Sequence, residues 1–438
     1  TSSTTGINNS ALGHDSLKAN TTGDYNTSIG SFALTSNTTA DQNTAMGFSA
    51  LEANTTGAQN TAVGYYSLKA NTTASNNVAV GVNALVDNTT GYSNTAIGYE
   101  AAANTTSGNN NTALGRETLF TNILGDRNVA IGYRSLYTYN RSTSHDSYNV
   151  GVGNESLYST TTGAYNVALG GLSLYTNTTG NNSVAIGYKA LYDNTSSGNT
   201  AVGGHALENN STGAGNVAIG YASQLSNTTG NYNISIGYDS LQQNTTTSYN
   251  VAIGHDTLKL NTAASNTAVG YNALAANTTG NQGCAFGADA LLNNTTGAIN
   301  NAFGNNALHD NTTGQANTAI ARNASYKNTT GNYNVSVGYD SLFYNTTSDD
   351  NIAIGHEALY NNTAGENVAV GKQALKSNTT GGLNTAVGSY ALDASGTSSY
   401  NTAVGHGALT DNTTGNQNTA VGQDCLQNLT TASATTAM

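Results

Sequence analysis

Seven histidines, two cysteines, 24 acidic and 12 basic residues are the side chains of this 438-residue sequence that could move protons, attack a carbonyl or hold a metal. Such chemistry needs them clustered at fixed spacings, and they are not. His14, His255, His356 and His406 each follow a glycine at one recurring place, which elsewhere holds Tyr, Phe, Arg, Ser or Val. Variable occupancy of that kind marks a solvated row, and His255, His356 and His406 lie several repeats apart, too far for one metal site. The carboxylates show no pairing at a recurring spacing and no Gly-Gly-x-Gly-x-Asp calcium repeat. The sequence predicts a protein with no enzymatic activity, no catalytic residues, no cofactor and no metal.

Two other residue sets could carry recognition. Aromatic residues occupy one repeat position in five consecutive copies, Phe120, Tyr137, Tyr158, Tyr175 and Tyr192. Stacked at one strand spacing they form either an exposed strip for a sugar ring or partner, or a ladder that stabilises the fold by itself. Close by, the repeat lengthens around Arg141 and His145, a protrusion suited to specific contact. Asn-Thr-Thr occurs sixteen times, including Asn20, Asn37, Asn54, Asn71 and Asn88. These are N-glycosylation sequons in form, and they equally suit turns with a left-handed Asn.

What must position these residues is a strict internal repeat. Glycines close an Ala-Val-Gly or similar triplet at Gly13, Gly30, Gly47, Gly64 and onward to Gly422, almost always 17 residues apart, in 25 copies with one Ala at Ala321. Three steps of 16 and one of 21 are the slips. The unit reads Asn-Thr/Val-Ala-Val/Ile-Gly-Tyr-x-Ala/Ser-Leu-x-x-Asn-Thr-Thr-Gly-x-x, numbered here from position 1 to position 17. The chain divides into a partial coil over 1–8, a single array over 9–428 and a tail over 429–438.

Recurrent Gly, Thr and Asn exclude helix, while Val, Ile and Thr favour strands. Positions 1–5 read as one strand and positions 7–10, around the Leu, as a second, with turns at Gly and at Asn-Thr-Thr-Gly. The prediction is all-β: a parallel β-solenoid, or β-roll, of about 25 coils. Asn9, Asn26, Asn43, Asn60, Asn77 and Asn94, all at position 1, predict a structural amide ladder. If the Val/Ile at position 4 points inward, Ala and Gly leave a smooth outer face against which other chains pack. The alternative is that Ala is small because the coil is narrow and turned the other way.

The net charge of −12 is scattered, with no basic cluster, so nucleic acid is not an expected partner. No run approaches the ~18 apolar residues of a membrane span. Cys284 and Cys425 lie eight coils apart, roughly 40 Å at one strand spacing per coil, and cannot bridge within one chain.

The stretches Asn182-Ser183-Val184-Ala185-Ile186-Gly187 and Asn216-Val217-Ala218-Ile219-Gly220 resemble the head repeat of YadA-type trimeric autotransporter adhesins and repeat regions of phage and viral tail-fibre-like proteins. That resemblance implies a β-roll, three chains side by side, and a head that binds a host surface or matrix. This unit is longer than the family's and adds the Asn-Thr-Thr-Gly turn. The expected function is an extracellular structural and adhesive fibre segment, on a cell surface, secreted fibre or virion appendage. Its expected partners are itself, as a homotrimer or filament, and a glycan or host surface receptor. A filament subunit stacking end to end is the alternative. Ice binding is a weaker third, because adjacent Thr residues alternate to opposite faces of a strand.

Overall fold

A computed structural model describes residues 5–140 and 146–438. Arg141 and His145 lie outside the described residues. The chain forms two compact units, Thr1–Ile219 and Gly220–Met438. Both are parallel β-solenoids, without helix among the described residues, and together they carry about 25 turns at a spacing of about 17 residues. Each coil contributes one short strand at positions 2 to 4. These run from β1 (Ser10–Leu12) to β13 (Val217–Ile219) in the first unit and from β14 (Ile234–Ile236) to β26 (Thr436–Ala437) in the second.

Within each unit every strand pairs in parallel and in register with its copy on the next coil, as Thr61, Ala62 and Val63 do with Val78, Ala79 and Val80. The slips do not disturb this register. The 21-residue step still places Val129 against Val150, and a 16-residue step places Val184 against Thr200. On the 16-residue coils the strand register is kept but the position 12 amide turns within its own coil: Asn194, Asn261 and Asn362 donate Nδ2 to the Ser196, Ala263 and Ala364 carbonyls.

The strand faces the opposite way from the one expected. Ala62, Ala79 and Ala96 at position 3 have no exposed surface, whereas the position 4 residues Ile29 and Ile97 keep 38% and 41% of theirs. The alternative of a narrow coil is the one that holds. Position 3 looks across at Leu from position 9 and a small residue from position 8, both fully buried, as with Ala33 and Leu34. Together they fill the cross-section. At Gly151, the one glycine at position 3, an added Cβ would sit 2.5 Å from the Oγ of Ser135. A β-branched side chain has no room there, so Val and Ile must point outward.

No second strand forms around the Leu. Positions 7 and 9 take positive φ in coil after coil, as in Tyr66 (57°) and Leu68 (47°), which breaks a pleat. The segment is still tied to its neighbours: the amides of Leu68 and Ala70 donate to Ala84 and Val86 carbonyls, each at 3.0 Å. A left-handed residue other than glycine costs roughly 1 kcal/mol or more, and a β-branched one there would be an outright outlier. Leu tolerates the backbone and gains about 1.5–3 kcal/mol by burial. That explains why position 9 is Leu and not Val or Ile.

Two asparagine columns close most of the coils. The position 1 column forms the predicted ladder in a modified form: the backbone amide of Asn60 donates to Asn43 Oδ1 (2.9 Å), and Asn60 Nδ2 donates to the Ala74 carbonyl (2.9 Å). The position 12 column stacks amide on amide, Asn54 Nδ2 donating to Asn37 Oδ1 (3.0 Å) and to the Gly57 carbonyl (2.9 Å). Asn43 Nδ2 donates to that same Gly57 carbonyl. Where the columns run unbroken, buried amides satisfied in this way bind the turn to the strand and each coil to the next; Thr105, Tyr139, Thr160 and Ser395 interrupt the position 12 column.

The glycine at position 5 allows this stacking distance. Gly64 has φ of +136°, and a Cβ on it would lie 2.4 Å from the Gly81 carbonyl oxygen.

Candidate interaction surfaces

Inward Ala leaves an outward sheet face two side chains wide, Thr or Val at position 2 and Val or Ile at position 4. No strand from β1 to β26 places a carboxylate, ammonium, guanidinium or imidazole on it. In the first unit Ile29, Ile97, Ile186 and Ile219 lie along it, and in the second Ile236, Ile320, Val387 and Val421, each with more than a third of its surface exposed. Phe286 and Phe303 stack on the same face, ring centres 5.1 Å apart. Cys284, a free thiol, stands beside them at position 2, and burial raises its pKa. The sequence contained a signal for this face: two β-branched residues flank an Ala, and period-2 alternation puts both on one side.

The five aromatic residues at position 10 are brought together. Phe120, Tyr137, Tyr158, Tyr175 and Tyr192 stack with centres 5.0–5.2 Å apart and planes within 8° of parallel. Both faces of Tyr137, Tyr158 and Tyr175 are therefore covered by neighbouring rings, while Phe120 and Tyr192 each have one face covered. A sugar ring cannot lie against a face already covered, and stacking of this kind stabilises a fold by itself. A second ladder, His309, Tyr326, Phe343 and Tyr360, is built the same way. The partners expected for the first ladder at Arg141 and His145 lie outside the described residues.

Charged residues that sequence reading passed over brace the ladder. Glu117, with only 8% of its side chain exposed, accepts from Arg134 Nε at 2.6 Å and from Arg116 Nε at 2.9 Å. These bonds, the Arg134 one foremost, hold its carboxyl below the usual range against the opposing effect of burial. The Arg134 guanidinium lies 4.9 Å and 5.1 Å from the ring centres of Tyr133 and Tyr137. Neither repeat position 6 nor 7 is uniform in residue type, so the cluster leaves no trace in the consensus.

Fifteen of the sixteen sequons sit at position 12, and that of Asn104 sits at position 11. Asn20, Asn37, Asn54, Asn71 and Asn88 have no exposed surface and do not adopt positive φ. Their Nδ2 atoms, which a glycan would take, donate hydrogen bonds within the ladder. A glycan could be attached only before the coil closes.

Among the described residues no three His, Cys, Asp or Glu side chains come together as a metal site, and no helix is long and apolar enough to cross a membrane. No protein-family model matches the chain, and no curated protein or solved structure matches it.

Proposed function

We propose that this chain is a structural and adhesive fibre segment that works outside the cell, without enzymatic activity, and assembles with copies of itself. The observation that carries the reading is the uncharged sheet face. Apolar area on this scale in water is a docking surface. Its occupant must be equally long, equally uncharged and spaced by the same coil repeat, because any charge set against it would be desolvated without a partner. A second copy of the chain meets all three demands. Three copies around one axis cover all three faces, which agrees with the resemblance of Asn182-Ser183-Val184-Ala185-Ile186-Gly187 to trimeric adhesin heads. The opposite side of each coil, with its Tyr, Lys, Asp and Asn side chains, then faces outward as a repetitive surface for attachment.

The test is the mass of the protein in solution, by native mass spectrometry and light scattering at micromolar concentration. The expected result is a trimer that Ile253→Lys with Val269→Lys converts to monomer, with the far-UV circular dichroism unchanged. A monomeric parent overturns the reading, and a dimer corrects the number.

A further inference from the structure

In the first unit a groove follows position 11, on the side of the coil away from the sheet face. A concavity of about 430 Å3 over Ser36, Ala53 and Ala70 ends at Asp87, where a second of about 380 Å3 begins and continues past Asn104 to Thr121. All six residues are at position 11, so the groove spans about five coil spacings, roughly 24 Å. Its floor is shallow because Ala53 and Ala70 are small. Position 10 forms one wall, with Glu52 and Lys69, and Tyr66 stands over the same end.

Several polar groups here are not used by the fold. Asp87 makes no side-chain hydrogen bond or ion pair, nor does the Ser36 hydroxyl. Glu52 meets Lys69 only at 3.9 Å. Lys69 Nζ folds over the Tyr66 ring, 4.1 Å from its centre. Two carboxylates against one ammonium disfavour a polyanion. An added peptide strand finds no edge, because the backbone here is bonded to neighbouring coils, Ala70 N to Val86 O (3.0 Å) and Thr72 N to Thr89 O (3.2 Å). What fits is a ligand whose groups both donate and accept, with apolar patches between them.

We infer that this groove binds a neutral oligosaccharide lying along the coil axis. Sugar hydroxyls donate to Asp87 and Glu52 and accept from Lys69, while ring C–H groups rest on the Ala53 and Ala70 methyls. This names the ligand class of the attachment surface and rests on the adhesive reading given above. It moves that contact from the aromatic ladder, whose inner rings are covered on both faces, to coils nearer the start of the chain.

The experiment titrates the full chain with neutral hexose and N-acetylhexosamine oligomers of several rings, with polygalacturonate and a lysine-rich peptide as parallel probes. Saturable binding of a neutral oligomer is expected. It should weaken about tenfold in Glu52→Ala with Asp87→Ala, and similarly in Ala70→Phe, which fills the floor. Circular dichroism and solution mass are recorded on the same samples. Equal binding by parent and variants, binding of the charged probes alone, or no oligomer binding overturns the inference. Those outcomes with an intact trimer leave the assembly reading standing, whereas a monomer that still binds sugar overturns assembly alone.

Discussion

Arg134 reaches one coil back to Glu117, Nε to Oε2 at 2.6 Å, while its guanidinium lies 5.1 Å from the centre of the Tyr137 ring on its own coil. One side chain thus ties two coils by charge and braces the aromatic ladder that joins the same two. Because Glu117 is nearly buried, the pair is little screened by solvent, unlike the exposed ion pairs elsewhere on the surface.

Acid should loosen this region. The carboxyl of Glu117 is held below its ordinary value by Arg134 and Arg116, so its stabilising contribution is complete above the unfolded value of about 4.3 and is lost as pH falls through the lower folded value. Hydrogen exchange in the coils around Glu117 should accelerate below about pH 4. In Glu117→Gln that pH dependence should shrink, with weaker protection already present at neutral pH. Identical pH profiles in parent and variant would remove Glu117 as the cause.

Neighbouring residues on one strand should respond in opposite ways. Ala268 is fully buried, so Ala268→Arg drives a charge into the coil interior and should cost several kcal/mol. Leu258→Asp, also at a fully buried site, should do the same. Val269→Lys on the outward face should leave the monomer folded. Limited proteolysis near these residues reads the difference, and a protease-resistant Ala268→Arg would contradict the inward direction of position 3.

The amide ladder should be costly to interrupt. Asn294 donates to Asn277 Oδ1 (2.8 Å) and to the Gly297 carbonyl (3.0 Å), and accepts from Asn311 Nδ2 (2.7 Å). Asn294→Ala leaves the Asn277 Oδ1 and the Gly297 carbonyl without these donors, and should lower stability by roughly 2–3 kcal/mol. Urea denaturation measures it, and a loss under about 0.5 kcal/mol would show that the ladder is dispensable.

One coil carries a buried hydroxyl at position 9. Ser325 stands where neighbouring coils place Leu308 and Leu342, and its hydroxyl is buried without a hydrogen-bond partner. Its φ of 51° matches that of those leucines, 52° and 50°. Ser325→Leu should therefore raise stability by about 1–2 kcal/mol. A thermal midpoint that does not rise would mean the site cannot accommodate Leu.

Breaking the ladder tests its role directly. Tyr158→Ser removes two stacks, to Tyr137 and to Tyr175, each worth about 0.5–1.5 kcal/mol beyond the buried area. The midpoint of unfolding should fall while oligosaccharide binding stays unchanged. Lost binding at unchanged stability would return recognition to the ladder.

The repeat, the solenoid, the position 9 Leu column and the position 1 Asn ladder were all legible in the residue spacing, because each is a local pattern copied many times. The Glu117 cluster was not, since it joins residues that differ from one coil to the next. Nor was the groove, which depends on where Ala53 and Ala70 happen to follow one another. The second strand failed for a definable reason: φ sign at positions 7 and 9 is set by how Leu must reach the interior, and side-chain type alone does not report it. Asn at position 12 was legible as a turn residue but not as a buried one.

The sequence by itself determined the coil: a 17-residue period, apolar or small residues at fixed positions and glycine at the tight corner oblige the chain to stack on itself. Alternation then offered two orientations of each strand, with either Ala or Val inside, and both satisfy the pattern. Only the tertiary structure chose between them. Leu68 and its copies enter the interior from the opposite wall, and the space left across from them fits the methyl group of Ala62 but not the branched side chain of Val63. That volume constraint puts the β-branched residues into solvent and gives the chain its uncharged outward face.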